Sequence, residues 1–206
     1  MTDGAGAAAG SAPLAPTLIV MALPIEAQGL FAAASIPVLF TGLGKVNAAL
    51  ALMRRLMQYR AAQQPLPLVL NFGTAGSRTL ATGELVACDR FVQRDMDVSA
   101  LGFAVGETPY EQLPAQLAFP PLFTELRAGL CGSGDSFAIG AAATHCDVLD
   151  MEAYALAKVC LLEQARFACV KYISDGANHS AASDWHDNLP RAAAAFWGLY
   201  QRLPGN

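Results

Sequence analysis

Strand-length apolar runs that alternate with helical patterns constrain this chain more than any other feature. Each run is followed by glycine-rich or polar residues. None reaches the ~20 uninterrupted apolar residues that a membrane-spanning helix needs. Runs that are apolar on both sides of the strand are typical of a sheet with both faces covered. The clearest runs lie at residues 18–23, 36–40, 66–72 and 167–173, with shorter ones near 84–88, 128–131 and 148–149.

Helical patterns separate these runs. Between residues 45 and 60, apolar side chains recur at three- and four-residue spacing while the arginines face outward. A second helix is predicted at residues 152–164, and a closing helix at 188–203 with Pro190 in its first turn. The alternation predicts an α/β fold, a three-layer α/β/α sandwich around a mostly parallel mixed sheet.

Length and composition indicate one globular domain. The chain has 206 residues, of which 54% are hydrophobic and 15% charged. Residues 1–16 are rich in Gly, Ala, Ser and Pro, and we expect a flexible tail there, followed by a single domain at 17–206. The tail lacks the basic start and continuous apolar stretch of a secretory signal, since Asp3 and several Gly and Pro interrupt it. We therefore expect a cytoplasmic protein.

Charge and ligand-type residues exclude several functions. The net charge is −4 without a basic run, so we expect no nucleic-acid partner and no membrane partner. Five cysteines form no CxxC pair and three histidines show no zinc spacing, so no metal is expected. TGLGKVN (41–47) has Leu39 where a Walker loop needs Gly, and Asn47 where a dinucleotide loop needs Gly or Ala. We interpret it as a structural turn and expect no organic cofactor.

Three carboxylates follow apolar strands, at Glu26, Glu152 and Asp175. Taken singly, each fits a helix start or a turn as well as a catalytic role. Ligands in α/β folds bind where the carboxyl ends of strands meet, so we expect the three in one pocket. Burial and mutual repulsion should raise the pKa of at least one of them.

The motifs resemble those of a known family. LIVMALPIEAQGL, TGLGKVNAALAL, NFGTAGS, GELV, DMDVSALGFAVGETP, GSGDSF, LDMEAYALAKVC and VKYISDGAN occur in the order found in the methylthioadenosine/S-adenosylhomocysteine nucleosidases. That family belongs to the purine nucleoside phosphorylase superfamily, and the likeness runs from about residue 18 to about 189. It implies a phosphorylase/hydrolase-like fold. It also implies hydrolysis of the N-glycosidic bond of 5′-methylthioadenosine, with S-adenosylhomocysteine as a second candidate substrate, and release of adenine.

The resemblance implies roles for the polar residues. Asp175 matches the acid that protonates the leaving adenine at N7, with Ser174 orienting it. Glu26 matches the residue that positions and activates the attacking water. Glu152 matches the carboxylate that holds the ribose hydroxyls, and Met151 lies against the sugar.

The resemblance also implies a binding surface around these groups. Phe137 matches the aromatic residue that stacks on adenine, and the Ala138 backbone reads the base edge. Thr74, with Ala75 and Gly76 in the same turn, lies near the reacting centre.

The 5′-thio group has its own predicted pocket. Val98, Phe103 and Pro109 match the residues that line it, and in such enzymes part of the lining comes from the neighbouring subunit. The resemblance therefore implies a homodimer.

Three departures distinguish this chain from the family pattern. Only about a dozen residues separate the Glu26 segment from TGLGK, where relatives usually place an additional strand pair. Asp150, counted among the substrate-binding candidates, replaces a common glutamate, and Lys171 replaces a common arginine. These changes bear on whether a homocysteine tail is accepted.

Other functions stay open at this point. A phosphorylase of the superfamily would use arginines to hold phosphate, but ALPIEAQGL after the first strand carries a glutamate and no cation, which favours hydrolysis. A nucleosidase for futalosine or a hopanoid-pathway adenosyl compound would have altered 5′-pocket residues. A non-catalytic nucleoside-binding protein would not need an acid and a base together.

Overall fold

The computed structural model describes residues 16–136, 145–178 and 180–203. Apolar, largely buried runs form eight strands in one sheet. Their bounds are β1 Thr17–Met21, β2 Val38–Phe40, β3 Leu68–Gly76, β4 Leu85–Gln93, β5 Gln116–Ala118, β6 Arg127–Ser133, β7 Val148–Asp150 and β8 Phe167–Asp175.

Two short and three long helices accompany the sheet in the described residues. The apolar stripes that predict helices near 45–60 and 152–164 are confirmed as α3 and α4. The bounds are α1 Pro24–Ala27, α2 Leu30–Ala33, α3 Lys45–Ala61, α4 Ala153–Glu163 and α5 Ala181–Gln201.

The sheet is mixed and partly closes on itself. β1 lies between β2 and β3, and β8 runs parallel to β3 but antiparallel to β4. β6 joins β4 to β7 in parallel, and β5 adds an antiparallel edge to β4. A single antiparallel pairing, Gly76 with Leu149, connects β7 back to β3 and completes a ring of strands.

This closure changes the reason why the polar clusters meet. The sequence argument assumed one carboxyl edge of an open sheet. Instead, β6 and β7 run opposite to β3 and β8, since β4 is antiparallel to β8. The carboxyl ends of β3 and β8 nevertheless meet those of β6 and β7. They do so because the Gly76–Leu149 pairing lies at the end of both β3 and β7.

Two hydrophobic clusters cover the two faces of the sheet. One contains Leu52 and Leu56 of α3 and Leu156 of α4, and the other contains Phe31 of α2 and Phe196 of α5. Successive residues of β3 and β8 alternate between the clusters, as the period of two in a strand requires. The three-layer α/β/α arrangement is thus confirmed.

One predicted boundary is wrong, and one strand was not predicted. The closing helix begins at Ala181 rather than at 188, and Pro190 lies in its interior instead of its first turn. β5 was not anticipated, because only Leu117 of its three residues is buried.

Three expectations about membrane helices, cysteines and the N-terminal tail can be compared with the structure. Within the described residues no helix is long and apolar enough to cross a membrane. All five cysteines are free thiols. Apart from Pro16, the predicted tail lies outside the described residues.

Candidate active site

A cavity of about 360 Å³ opens where the ends of β1, β3, β7 and β8 converge. Its lining combines buried carboxylates with small and apolar side chains. Among the described residues these are Leu23, Glu26, Leu43, Thr74, Ala75, Gly76, Arg94, Ser136, Leu149, Asp150, Met151, Glu152, Ser174, Asp175, Ala177, Ala182 and Trp185.

Most of the residues singled out from the sequence lie on this wall. The structure brings together Glu26, Thr74, Ala75, Gly76, Asp150, Met151, Glu152, Ser174 and Asp175.

Five other predicted residues are not seen there. Val98, Phe103 and Pro109 are not part of the cavity wall formed by this chain. Phe137 and Ala138 lie outside the described residues.

Glu26 is buried and held by four donors. It lies in the short helix α1, directly after β1. Its Oε2 accepts hydrogen bonds from the backbone N–H groups of Ala22 and Leu23, both at 3.1 Å. Its Oε1 accepts from the backbone N–H of Thr74 at 2.9 Å and from the Thr74 hydroxyl at 2.8 Å. These four contacts fix the position of both carboxyl oxygens beside the cavity.

Asp175 ends β8 and is also buried. Its Oδ1 accepts from the Ala177 backbone N–H and its Oδ2 from the Ser174 hydroxyl, both at 2.9 Å. These two contacts fix the plane of the carboxyl group beside the cavity.

Glu152 precedes α4 and has one protein donor in the described residues. The backbone N–H of Gly44 lies 2.9 Å from its Oε1. Burial, joined by the charge of Asp150, raises the pKa of Glu152 to about 7. The expectation that burial and repulsion raise the pKa of at least one of the carboxyl groups is confirmed here.

Asp150 and Lys171 form a buried ion pair beneath the cavity, with Nζ 2.8 Å from Oδ2. Burial alone would raise the pKa of Asp150, but the Lys171 ammonium outweighs it and the net direction is down. Burial lowers the pKa of Lys171, and Asp150 more than offsets this, so the pKa rises well above its ordinary value. Both partners are therefore charged. Asp150 also accepts from Ser133 and from the Ala153 backbone, so its oxygens bind protein donors.

Two glycines make room for these charged groups. A Cβ on Gly73 would lie 2.9 Å from the Lys171 Nζ and 3.7 Å from Oε1 of Glu26. A Cβ on Gly76 would lie 2.7 Å from Oδ1 of Asp175. The backbone of the GTAG turn thus packs directly against the charged groups of the site. A side chain at Gly73 or Gly76 would displace them.

The TGLGKVN turn holds Glu152. Gly44 has φ +90°, a conformation that favours glycine, and its N–H points at the Glu152 carboxylate. The next residue, Lys45, donates its backbone N–H to Asp135 at 2.7 Å and pairs through Nζ with Asp95. Two successive backbone N–H groups of the turn thus hold the carboxylates of Glu152 and Asp135.

Sequence reasoning missed two polar groups of the cavity. Arg94 follows β4, and its guanidinium donates to the carbonyls of Gly134 and Ser136 and to the Ser136 hydroxyl. Trp185 lies in α5, which was predicted to start after it. A correct helix start at Ala181 would have placed Trp185 in the second turn of α5.

The arrangement offers acid–base chemistry. Buried carboxyl groups on one cavity wall can accept and supply protons in a site with little water. In the described part of the chain, no group of three or more His, Cys, Asp or Glu side chains is arranged to hold a metal ion.

Comparison with known proteins agrees with this geometry. The sequence profile of the Phosphorylase superfamily matches residues 27–203. The 5′-methylthioadenosine/S-adenosylhomocysteine nucleosidase of Marinomonas sp. (strain MWYL1) is 31% identical over 202 residues, covering 86% of this chain and 84% of that protein. The nucleosidase of the same name from Geobacillus thermodenitrificans (strain NG80-2) is 32% identical over 177 residues, covering 74% and 72%.

Solved structures share the fold. The Helicobacter pylori 5′-methylthioadenosine/S-adenosylhomocysteine nucleosidase, solved with butyl-thio-DADMe-Immucillin-A, has a TM-score of 0.77 at 20% identity, covering 92% of this chain and 98% of that one. The S-adenosylhomocysteine nucleosidase of Streptococcus pyogenes, solved with 5-methylthiotubericidin, has a TM-score of 0.75 at 24% identity, covering 95% and 100%. The chain therefore belongs to the phosphorylase superfamily and, within it, to the family of 5′-methylthioadenosine/S-adenosylhomocysteine nucleosidases.

Proposed function

We propose that this protein hydrolyses the N-glycosidic bond of 5′-methylthioadenosine, with S-adenosylhomocysteine as a second candidate substrate, releasing adenine without a metal or an organic cofactor. One observation carries the proposal: Glu26 and Asp175, on separate strand ends, are buried on the wall of the same cavity. The names of the relatives support the substrate class.

The two carboxyl groups divide the chemistry. Protonated Asp175 donates to N7 of adenine as the bond between C1′ and N9 breaks and its electron pair moves into the base. The oxygen of a water molecule bonds to C1′, and ionised Glu26 takes the proton of that water. Asp175 loses one proton and Glu26 gains one, and exchange with solvent restores both. Proton transfer of this kind contributes roughly 100- to 10,000-fold to a rate.

Other residues bind the parts of the nucleoside that do not react. Glu152 accepts hydrogen bonds from the ribose hydroxyls, and Met151 lies against the sugar. Ser174 orients Asp175 through its 2.9 Å hydrogen bond. Phe137 and the Ala138 backbone, outside the described residues, hold the adenine. Asp150 acts indirectly, because its oxygens hold Lys171 and the start of α4.

The charges of the cavity favour water over phosphate as the nucleophile. Glu26, which is ionised in this mechanism, lies on the cavity wall and repels an anion. Arg94 is the one cationic side chain in the described lining, and its guanidinium donates to Gly134 and Ser136.

A second copy of the chain is proposed to complete the 5′ end of the pocket with Val98, Phe103 and Pro109. A shallow depression between α3 and α4 is lined by Val46 and Leu162, which are 75% and 60% exposed. The segment that carries the 5′-pocket residues lies beside this face, since Glu111 pairs with Lys158 of α4 at 2.6 Å. Exposed apolar surface of this kind is typical of an interface.

We further propose that residues 17–206 act as a single nucleosidase domain in the cytoplasm. Both hydrophobic clusters share one sheet, which supports one domain. Five free thiols without a disulfide fit a reducing compartment.

The test is release of adenine from 5′-methylthioadenosine by purified protein, with and without phosphate. We expect phosphate-independent release of adenine and methylthioribose. Glu26→Gln should reduce it at least ~100-fold, while the exposed Glu125→Gln should not change it. Release that requires phosphate and yields the sugar phosphate would make the protein a phosphorylase and contradict the base role of Glu26.

A further inference from the structure

Two consecutive hydrogen bonds join α5 to Glu26. The indole Nε1 of Trp185 lies 2.8 Å from the Thr74 hydroxyl oxygen. That oxygen lies 2.8 Å from Oε1 of Glu26. Trp185 and Thr74 are partly buried and line the cavity, so the two bonds run along its wall.

The chemistry of the groups fixes the direction of both bonds. An indole N–H can only donate, so the Thr74 hydroxyl accepts from Trp185. The hydroxyl has one proton, which is then free to point at Glu26. Glu26 accepts, because both of its oxygens already receive backbone N–H donors from Ala22, Leu23 and Thr74.

We propose that Trp185 is a positioning residue for the base. Its N–H holds the Thr74 hydroxyl as a donor to Glu26, and the hydroxyl in turn holds Oε1 where it faces the attacking water. This inference rests on the proposed function, because the base role of Glu26 is part of it. Without the indole N–H, the hydroxyl rotates to other acceptors, including water, and the carboxylate loses one of its four fixed donors.

The same end of α5 also contacts the acid side of the site. The Asn188 side chain donates to the carbonyl of Ser174 at 3.1 Å and to that of Asp184 at 2.9 Å. Ser174 donates its hydroxyl to Asp175. The first half of α5 therefore ties the groups beside Glu26 and Asp175 to one rigid element, which keeps the spacing of acid and base constant.

Trp185→Phe isolates the role of the N–H, because it keeps an aromatic ring in the cavity. We expect kcat for adenine release to fall ~3- to 10-fold, the equivalent of one hydrogen bond, with KM within about two-fold of the wild type. Trp197→Phe is the matched control. Trp197 is the other tryptophan of the chain and lies in the same helix, but it is not part of the cavity lining, and its ring centroid lies 5.3 Å from that of Phe31.

A double-mutant cycle separates this role from simple packing. If Trp185 acts through Thr74, Trp185→Phe has no further effect on kcat in a Thr74→Ala background. An unchanged kcat in the single variant would overturn the proposal. So would a loss of the same size in both backgrounds, because the ring would then act by another route.

A spectroscopic readout keeps the outcome independent of activity. The two indole N–H signals of a proton–nitrogen correlation spectrum are assigned from Trp185→Phe and Trp197→Phe. Thr74→Ala should move the Trp185 signal upfield and leave the Trp197 signal in place. If the wild type cleaves no 5′-methylthioadenosine, the proposed function fails. An unmoved Trp185 signal shows separately that the hydrogen bond from Trp185 to Thr74 does not form.

Discussion

The carboxyl groups of the site share burial but differ in what donates to them. Glu26 has four donors, Asp175 has two, and Glu152 has one in the described residues, the Gly44 N–H. A carboxylate with few donors is costly to ionise in a buried site. Burial, joined by the charge of Asp150, raises the pKa of Glu152, and the ribose hydroxyls proposed to bind it would add donors.

Glu152→Gln should change how stability depends on pH. The pKa of Glu152 is about 7 in the folded protein against 4.5 ordinarily. The folded state keeps this proton where the unfolded state has lost it, so wild-type stability falls as the pH rises through this window. Gln does not titrate, and we expect the variant to gain stability relative to the wild type between pH 5 and pH 8, on the order of 2 kcal/mol.

Urea unfolding at both pH values measures this difference. For the control variant Glu125→Gln, at an exposed position, the free energy of unfolding should change with pH as it does in the wild type. Parallel curves for Glu152→Gln as well would show that Glu152 titrates normally.

Gly76→Ala should disturb the acid without disturbing the backbone. The added Cβ would meet Oδ1 of Asp175 at 2.7 Å and the Ala177 Cβ at 3.2 Å. The carboxyl group must then shift, and displacement by a fraction of an ångström lowers the rate. We expect kcat to fall at least ~10-fold in an adenine-release assay. A kcat within two-fold of the wild type would mean that the close approach at Gly76 has no catalytic importance.

The elements that define the fold follow from short-range patterns, but their closure does not. The buried strands and α3 and α4 were predicted because apolar runs and three-to-four spacing are local signals. The ring of strands depends on one pairing, Gly76 with Leu149, between residues far apart in sequence. Trp185 was missed because Pro190 was placed in the first turn of α5, whereas the helix continues through it.

Gly198→Ala should stabilise α5. Gly198 lies inside the helix, and an added Cβ would meet nothing within 4 Å. Replacing glycine in a helix interior gains about 0.5–1 kcal/mol because the unfolded chain loses freedom. Thermal or urea unfolding measures the gain, and kcat should not change. A loss of stability would show that the site is more crowded than the structure indicates.

At the scale of the whole molecule, the cavity wall formed by one copy of the chain does not include the residues predicted to line the 5′ pocket. Val98, Phe103 and Pro109 are not part of the cavity wall, and Glu111, close after them in sequence, pairs with Lys158 of α4. That these residues complete the 5′ pocket of a neighbouring subunit stays a prediction, and it comes from the family resemblance because no local pattern in the sequence indicates it. The place of Glu26 and Asp175 in one cavity was predictable, since Asp175 ends a strand and Glu26 lies in the short helix that follows one.

Val46→Lys should therefore weaken both assembly and activity. Val46 is 75% exposed on the proposed interface, and a buried lysine there costs free energy. Light scattering should give the wild type a mass twice that of the 21.6 kDa chain and the variant a single chain mass. We expect kcat/KM to fall with it. Leu122→Lys, at a 40% exposed leucine beside the opposite cluster, is the control. A monomeric wild type with full activity would contradict the proposed subunit role.

The most direct test of the central claim is the rate of adenine release by Asp175→Asn in phosphate-free buffer. Asparagine keeps the shape of the side chain but cannot give up a proton, so kcat should fall at least ~100-fold while the fold is retained. Asp187→Asn, at a side chain 82% exposed to solvent, should match the wild type. An Asp175→Asn protein that unfolds at the wild-type temperature and releases adenine within a few-fold of the wild-type rate would contradict the assignment of Asp175 as the acid.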